Sequence, residues 1–321
     1  MHKRTRRWLI AGAALVLLGA MIFGGLMMTL GWDFSKLSTV KYETNTHEVM
    51  DHFQSITVDT DTADITFLPA EDGRIQVVCH EPQNAKHALT VADGVLTIRQ
   101  INEKKWYDYI GFDLGSTKIT VYLPKGDYQD LRIRESTGDI TIPEDFRFES
   151  MDIRLSTGNV TSRASVLGEM KIKTSTGDIT VSNIAVEAMD LTVSTGKVHL
   201  SKVSCDGDVK IRVSTGKTEI TDLSCQSLFS QGNTGDITLK NVIATEKFSI
   251  ERTTGNVRFD RCDAAELWIQ TDTGNVSGTL LSEKVFRCKT DTGRVEVPQT
   301  ITGGKCEIIT DTGDIHLQII S

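Results

Sequence analysis

Few residues in this chain have the types and spacing for metal or redox chemistry. Asp272, Asp291 and Asp311 each stand two places before a glycine, at nearly even intervals along the chain. Stacked carboxylates repel one another unless screened, and calcium, a hard cation with oxygen ligands, would relieve that repulsion. Asn275 and Asp314 flank this candidate cation ladder, and Arg294 interrupts it. The competing reading is turn chemistry, because Asp and Asn side chains bond nearby backbone. Calcium-binding solenoids also use a tighter, glycine-denser repeat. No other cofactor is called for. Of the six cysteines, Cys79, Cys205, Cys225, Cys262, Cys288 and Cys306, none forms a C-x-x-C pair, the spacing of zinc and redox motifs. Cys205 and Cys225 hold the same place in successive repeats, within reach of a bridge; buried free thiols are the alternative. The seven histidines form no interpretable spacing, and no nucleophile elbow, phosphate loop or metalloprotease helix is present. Trp106, Tyr107 and Tyr109 form an aromatic segment, and Trp268 is the one aromatic expected to face outward within the repeats. These four are the candidate binding surface, because exposed rings offer large, rigid contact area.

The element that positions these residues is a recurring Thr-Gly pair, with its glycine at 138, 158, 177, 196, 216, 235, 255, 274, 293 and 313. A period of about 20 residues marks a solenoid, in which each repeat buries its apolar face against its neighbours. Counted from the glycine, positions −7, −5, +2 and +4 are mostly Ile, Val, Leu, Met or Phe, with polar residues between. That alternation predicts two half-buried strands per repeat. A shorter apolar patch follows at +7 and +9, as in Val203 with Cys205 and Leu223 with Cys225. The Thr-Gly pair is expected to be a type II or I′ turn, both of which place glycine at positive φ. Glu135 and Arg252 are polar exceptions at the inward position −3, next to the turn, where their side chains are expected to reach solvent. The fold expected is an all-β solenoid of about ten coils. A propeller with two repeats per blade is the alternative, which periodicity does not separate from it.

The chain has 321 residues and a formal net charge of −8. The N-terminus reads as a basic tail at residues 1–7 and a transmembrane anchor at 8–32, flanked by Trp8 and Trp32. Its uncharged stretch is long enough to cross a bilayer, and the positive cluster places the N-terminus in the cytoplasm and the remainder outside. A cleaved signal peptide is the alternative, although its apolar region is shorter. Residues 33–52 read as a polar tether, 53–130 as an irregular β-rich cap and 131–321 as the solenoid repeats. Residues 56–67 copy the repeat register with Ala63 in the glycine's place. Without Lys3, Arg4, Arg6 and Arg7 the net charge is −8 − 4 = −12, which argues against nucleic acid as a partner. Self-association through the anchor or through the C-terminal end of the solenoid, where no cap is visible, is a further expectation.

The units Ser136-Thr137-Gly138-Asp139-Ile140, Ser175-Thr176-Gly177-Asp178-Ile179 and Asp272-Thr273-Gly274-Asn275-Val276 resemble those of the bacterial "putative adhesin" family, a domain of unknown function. The resemblance covers roughly residues 50–321. It implies a β-solenoid at the bacterial cell envelope, with no established catalytic residues to carry over. Lys197 and Lys217 depart from the usual Asp or Asn after the glycine. The function expected is a membrane-anchored extracytoplasmic module for binding, adhesion or scaffolding, engaging a cell-wall polymer or an envelope protein. The alternative is a sensor or modulator of an envelope-stress pathway acting through a membrane partner. A carbohydrate-active enzyme is disfavoured, because the repeats vary in length by a single residue and leave no inserted loop to wall a cleft.

Overall fold

The alternation of apolar and polar residues resolves, in a computed structural model, into a parallel β-solenoid; the structure describes residues 3–33, 40–102 and 115–320. Before it, residues Lys3–Thr29 form one helix, and its Arg7–Thr29 part is long and apolar enough to cross a membrane. The coils stack in parallel, and the strands flanking the Thr-Gly corner keep one register: Ile133, Ile153, Ile172, Leu191, Ile211, Ser230, Ile250 and Ile269 form one inward column. Nearly all residues at −7, −5, +2 and +4 in these coils are buried, as are Val203, Cys205, Leu223, Cys225, Val242 and Ala244 in the return segment. A sheet face is stable only when its apolar side is covered, and here each coil covers the next.

The Thr-Gly corner is not a type II or I′ turn. Its ten glycines have φ between +131° and +159°, whereas those turns place glycine at a φ of about +80° or less. The cause is stacking. The glycine N–H groups from Gly138 to Gly274, and that of Gly313, donate to the threonine carbonyl of the neighbouring coil, as from Gly138 to Thr157 at 3.0 Å and Gly216 to Thr234 at 2.8 Å. A Cβ on any of the ten glycines would lie 1.7 to 2.2 Å from a carbonyl oxygen of the coil it stacks on. The corner therefore needs both the glycine φ and the absence of a side chain.

The residue after each glycine explains the Asp and Asn preference. The Asp139 carboxylate accepts the Asn159 backbone N–H at 2.8 Å, Asn159 Oδ1 that of Asp178 at 2.9 Å, and Asp178 that of Lys197 at 2.8 Å. Lys197 and Lys217 have no side-chain acceptor, so the ladder stops there and resumes where Asp236 accepts from Asn256 at 2.9 Å and Asn256 from Asn275 at 2.9 Å. A second corner, at +6, holds Asn183, Lys202, Asp222, Asn241 and Arg261 at φ from +51° to +57°. Asn and Asp tolerate this left-handed conformation best. Side chains stack across this corner too, Asn241 Nδ2 donating to Asp222 at 2.8 Å and Arg261 Nε to Asn241 at 3.0 Å.

The coils do not stack in chain order at either end. Strands Ser55–Thr62 and Asp64–Pro69 lie directly beneath the Gly138 coil, with Val58 on Ile133, Ile65 on Ile140 and Ala63 buried at the corner. Beneath them lies a further coil made later in the chain, Val95–Asn102 with Lys118–Leu123, which sets Ile98 under Val58 and Ile119 under Ile65. The expected irregular cap is therefore two regular coils, closed by antiparallel strands: Ala85–Ala92 on Val95–Asn102 and Ile75–Pro82 on Lys118–Leu123. Part of the expected tether is strand as well, since Tyr42–Val49 pairs antiparallel with Ile75–Pro82. Antiparallel additions of this kind protect a sheet edge.

At the other end the last coil in sequence is the last but one in space. Gly304–Thr312 pairs on one side with Val257–Thr273 and on the other with Lys284–Thr292, which places Ile308 between Ile269 and Cys288. Ile315–Ile319 is likewise held between Val276–Leu280 and Val295–Glu296. The spatial order of the corners is thus Gly274, Gly313, Gly293. Arg294 does not interrupt the acceptor row, as its place in sequence suggests. Asn275 accepts from Asp314, Asp314 accepts from Arg294, both at 2.8 Å, and Arg294 stands at the end, where no coil follows among the described residues.

Candidate functional site

Alternation along each first strand sends positions −6, −4 and −2 outward onto one continuous face. Over the N-terminal coils this face carries a groove of about 580 Å³ lined by Arg134, Arg154, Lys171, Lys173 and the serine row Ser136, Ser156 and Ser175. Asp152 sits between two arginines, 2.6 Å from Arg134 and 3.3 Å from Arg154, and Arg212 reaches Asp190 at 2.8 Å. From the Gly138 coil to the Gly216 coil these outward positions carry Arg132, Arg134, Arg154, Lys171, Lys173, Lys210 and Arg212 against Asp152 and Asp190, although the whole chain is acidic. Asp59 and Asp61 close the groove at its N-terminal edge. The groove lining itself is balanced, Arg134, Arg154, Lys171 and Lys173 against Asp59, Asp61, Asp152 and Asp190, and the positive excess lies on the wider face at Arg132, Lys210 and Arg212; a local excess of one sign attracts oppositely charged ligands.

Further along the face the charges give way to rings and amides. Trp268 is half-buried and outward, between Ser249 and Glu307 of the neighbouring coils. Phe229, also half-buried and outward, lies on the other side of Ser249. The two aromatics are two strand spacings apart, about 9.6 Å, with Gln231, Glu251 and Gln270 in the adjacent column. Trp268 is the expected outward ring. Phe229 holds the same −6 position and is a second, which the repeat register already discloses.

Of the remaining candidates, Trp106, Tyr107 and Tyr109 lie outside the described residues. Asp272, Asp311 and Asp291, in that spatial order, are all exposed on the outward face. Lys289 Nζ lies 3.0 Å from Asp291. These three carboxylates are not among the described donors that converge closely enough for one metal ion. All six cysteines are free, and only Cys288 is not fully buried.

Glu135 and Arg252 do not reach solvent. Position −3 points inward beside the corner, and the two are 6% and 1% exposed. Arg252 fits because Gly232, in the same column one coil earlier, has no side chain; a Cβ there would lie 1.7 Å from an Arg252 guanidinium nitrogen. The guanidinium donates to the Val213 carbonyl at 2.9 Å, Thr218 at 3.0 Å and Ser230 at 3.4 Å, while its Nε has no partner. Burial pulls its pKa down to about 10, which still leaves it charged at neutral pH. Glu135 accepts the Ala63 N–H at 2.8 Å through Oε1, and its Oε2 has no partner. Burial, aided by the charges of Asp64 and Asp139, pushes its pKa up to about 8.

Because the folded pKa of Glu135 exceeds its unfolded value, the folded state binds the extra proton. Its contribution to stability is full below about pH 4.5 and is lost as the pH rises through about 8. Urea midpoints are expected to fall between pH 5 and pH 8.5 by the equivalent of about 4 kcal/mol, and Glu135→Gln is expected to flatten that slope. An unchanged slope in the variant would show that the carboxyl does not titrate in this range.

Residues 53–214 and 205–320 match the model of the Toastrack DUF4097 family. No curated protein matches the chain. Among solved structures, a "putative adhesin" from Bacteroides fragilis is 15% identical, covering 87% of this chain and 97% of its own, with a TM-score of 0.41. One from Parabacteroides distasonis is 13% identical over 87% and 98%, with a TM-score of 0.42. A "putative lipid binding protein" from the same organism is 16% identical over 86% and 97%, with a TM-score of 0.44. At these distances no ligand transfers from any of the three.

Proposed function

The chain belongs to the Toastrack DUF4097 family, and on that premise we propose that it is a non-catalytic binding module of the bacterial cell envelope. Its N-terminal helix acts as a single-pass anchor with the N-terminus in the cytoplasm and the solenoid outside. The ligand is an extended cell-wall polymer laid along the outward face. One observation carries the reading: positions −6, −4 and −2 stay in register and outward across successive coils, with only short bulges elsewhere in the coil from the Gly138 corner to the Gly274 corner. A flat, repetitive face suits a repetitive ligand, as in other solenoids. Cations around Arg154 and Lys173 engage anionic groups, and Phe229 and Trp268 stack on sugar rings, as aromatic anchors do at binding hot spots.

The test is co-sedimentation of the detergent-purified full chain with isolated cell-wall material. Phe229→Ala with Trp268→Ala, and separately Arg154→Ala with Lys173→Ala, are each expected to weaken retention about tenfold, the effect of losing one modest hot spot. The charge variant is also expected to lose its salt dependence. Full retention by both double variants would remove this face as the site.

A further inference from the structure

The N-terminal cap holds a cluster that no motif in the sequence announces. Cys79 and Glu81 are two apart on strand Ile75–Pro82, so both face inward, and His87 comes from the next strand, Ala85–Ala92. Cys79 and Glu81 are 0% exposed and His87 3%. One donor atom from each lies within 4.8 Å of the other two, and this is the one such group of three among the described residues. We propose that Cys79, Glu81 and His87 bind a structural zinc-class divalent ion that pins the cap strands to the first coils.

Thiolate, imidazole and carboxylate are the three ligand types zinc takes, usually in tetrahedral sites. The surroundings supply what metal ligands need. His87 Nδ1 lies 2.6 Å from a Glu81 oxygen, which puts that nitrogen on the cluster side of the ring, while its Nε2 lies 2.9 Å from Thr60 Oγ1. A ligating histidine characteristically donates its other ring N–H to such an acceptor, which fixes tautomer and orientation. The second Glu81 oxygen accepts from Asn45 Nδ2 at 2.8 Å, and the His87 backbone N–H donates to Glu81 at 2.7 Å. Asn45 stands opposite Cys79 in the strand register and turns its Nδ2 toward Glu81, so a water would be the fourth ligand.

Charge balance points the same way. Among the described residues the fully buried Glu81 carboxylate has no lysine or arginine partner; its one ionic partner is His87 at 2.6 Å, which offsets its charge only when protonated, and Asn45 is a neutral donor. A buried carboxylate must be paired, protonated or bound to metal. Burial and the Glu81 charge push the Cys79 thiol up to about 12, so a metal ion would have to displace its proton on binding. Such an ion would tie together the two cap strands and, through Thr60, the strand Ser55–Thr62 beneath the Gly138 coil.

The burial of the site means that metal enters during folding, so the full chain is expressed in zinc-supplemented medium and purified in detergent. One zinc per chain is expected by elemental analysis. Growth with cobalt is expected to give a sulfur-to-cobalt charge-transfer band in the near ultraviolet. His87→Gln and Cys79→Ser are each expected to lose the metal, and Cys306→Ser, a buried thiol far from the cap, to keep it. If Cys79→Ser fails to fold, the cobalt band of the parent protein still reports the thiolate. A folded parent protein with no stoichiometric metal, or cobalt bound without the thiolate band, would overturn the site.

Discussion

Gly216→Ala is expected to destabilise the solenoid by about 3–6 kcal/mol, the sum of backbone strain at φ +141° and overpacking in a closed corner. The added methyl would sit 1.7 Å from the Gly196 carbonyl oxygen. Backbone on both sides is held by the stacking bonds from Gly196 to Thr215 and from Gly216 to Thr234. Neither coil can retreat without breaking these. The control is Gly73→Ala, where φ is +72° but a Cβ would meet open space; its effect is expected to stay near about 1–2 kcal/mol. Because each coil touches only its neighbours, the loss need not be global. Hydrogen exchange is expected to open the Gly196, Gly216 and Gly235 coils first and to leave the two ends protected. Equal effects at Gly216 and Gly73 would mean that the corner glycines are chosen for φ alone and that stacking distance plays no part.

That corner also shows what the sequence discloses and what it hides. Ten Thr-Gly pairs set the register of ten coils, because a solenoid repeats its local physics at every step, and even the glycine-less coil at Ala63 is legible from Ile56, Val58, Ile65 and Phe67. The strands at Val95–Ile98 and Ile119–Leu123 are legible too, but not their union into a coil, since no Thr-Gly pair separates them in sequence. Register cannot reveal coil order: Gly293 and Gly313 fit on Gly274 equally well by period. The one sequence signal is Arg294. An acceptor ladder tolerates a residue that cannot accept only where it is broken or where it ends, and Arg294 is at its end. The inward Glu135 and Arg252 read as solvent-reaching when proximity to a turn is allowed to outweigh alternation; Gly232, vacating the column for Arg252, is the clue that restores them. The Cys79, Glu81 and His87 cluster is out of reach, because its members meet only after two strands fold over one another.

Removing residues 302–321 is expected to abolish two coils rather than one, the Gly313 coil that is cut away and the Gly293 coil that stacks on it. Among the described residues, strand Lys284–Thr292 pairs only with Gly304–Thr312, and Val295–Glu296 only with Ile315–Ile319. Stacking in chain order would predict the opposite, with the Gly293 coil still seated on the Gly274 coil. Re-docking onto that surface is opposed by one position. Gly304 lies where a Cβ would be 1.8 Å from the Ala265 carbonyl oxygen, and its counterpart in the Gly293 coil is Lys284. The side chain that Gly304 lacks would drive Lys284 into the backbone beneath. In the native stack Lys284 instead passes over Gly304 to pair with Asp263 at 2.6 Å, a path that the missing Gly304 side chain leaves open. In the truncated chain the amides of Val285, Arg287 and Lys289 are therefore expected to exchange as fast as unfolded peptide, while those of Leu267 and Ile269 keep reduced protection as a new edge. Full protection at Val285 and Arg287 would show that the Gly293 coil can take the vacated seat, and that Gly304 does not set the order of the coils.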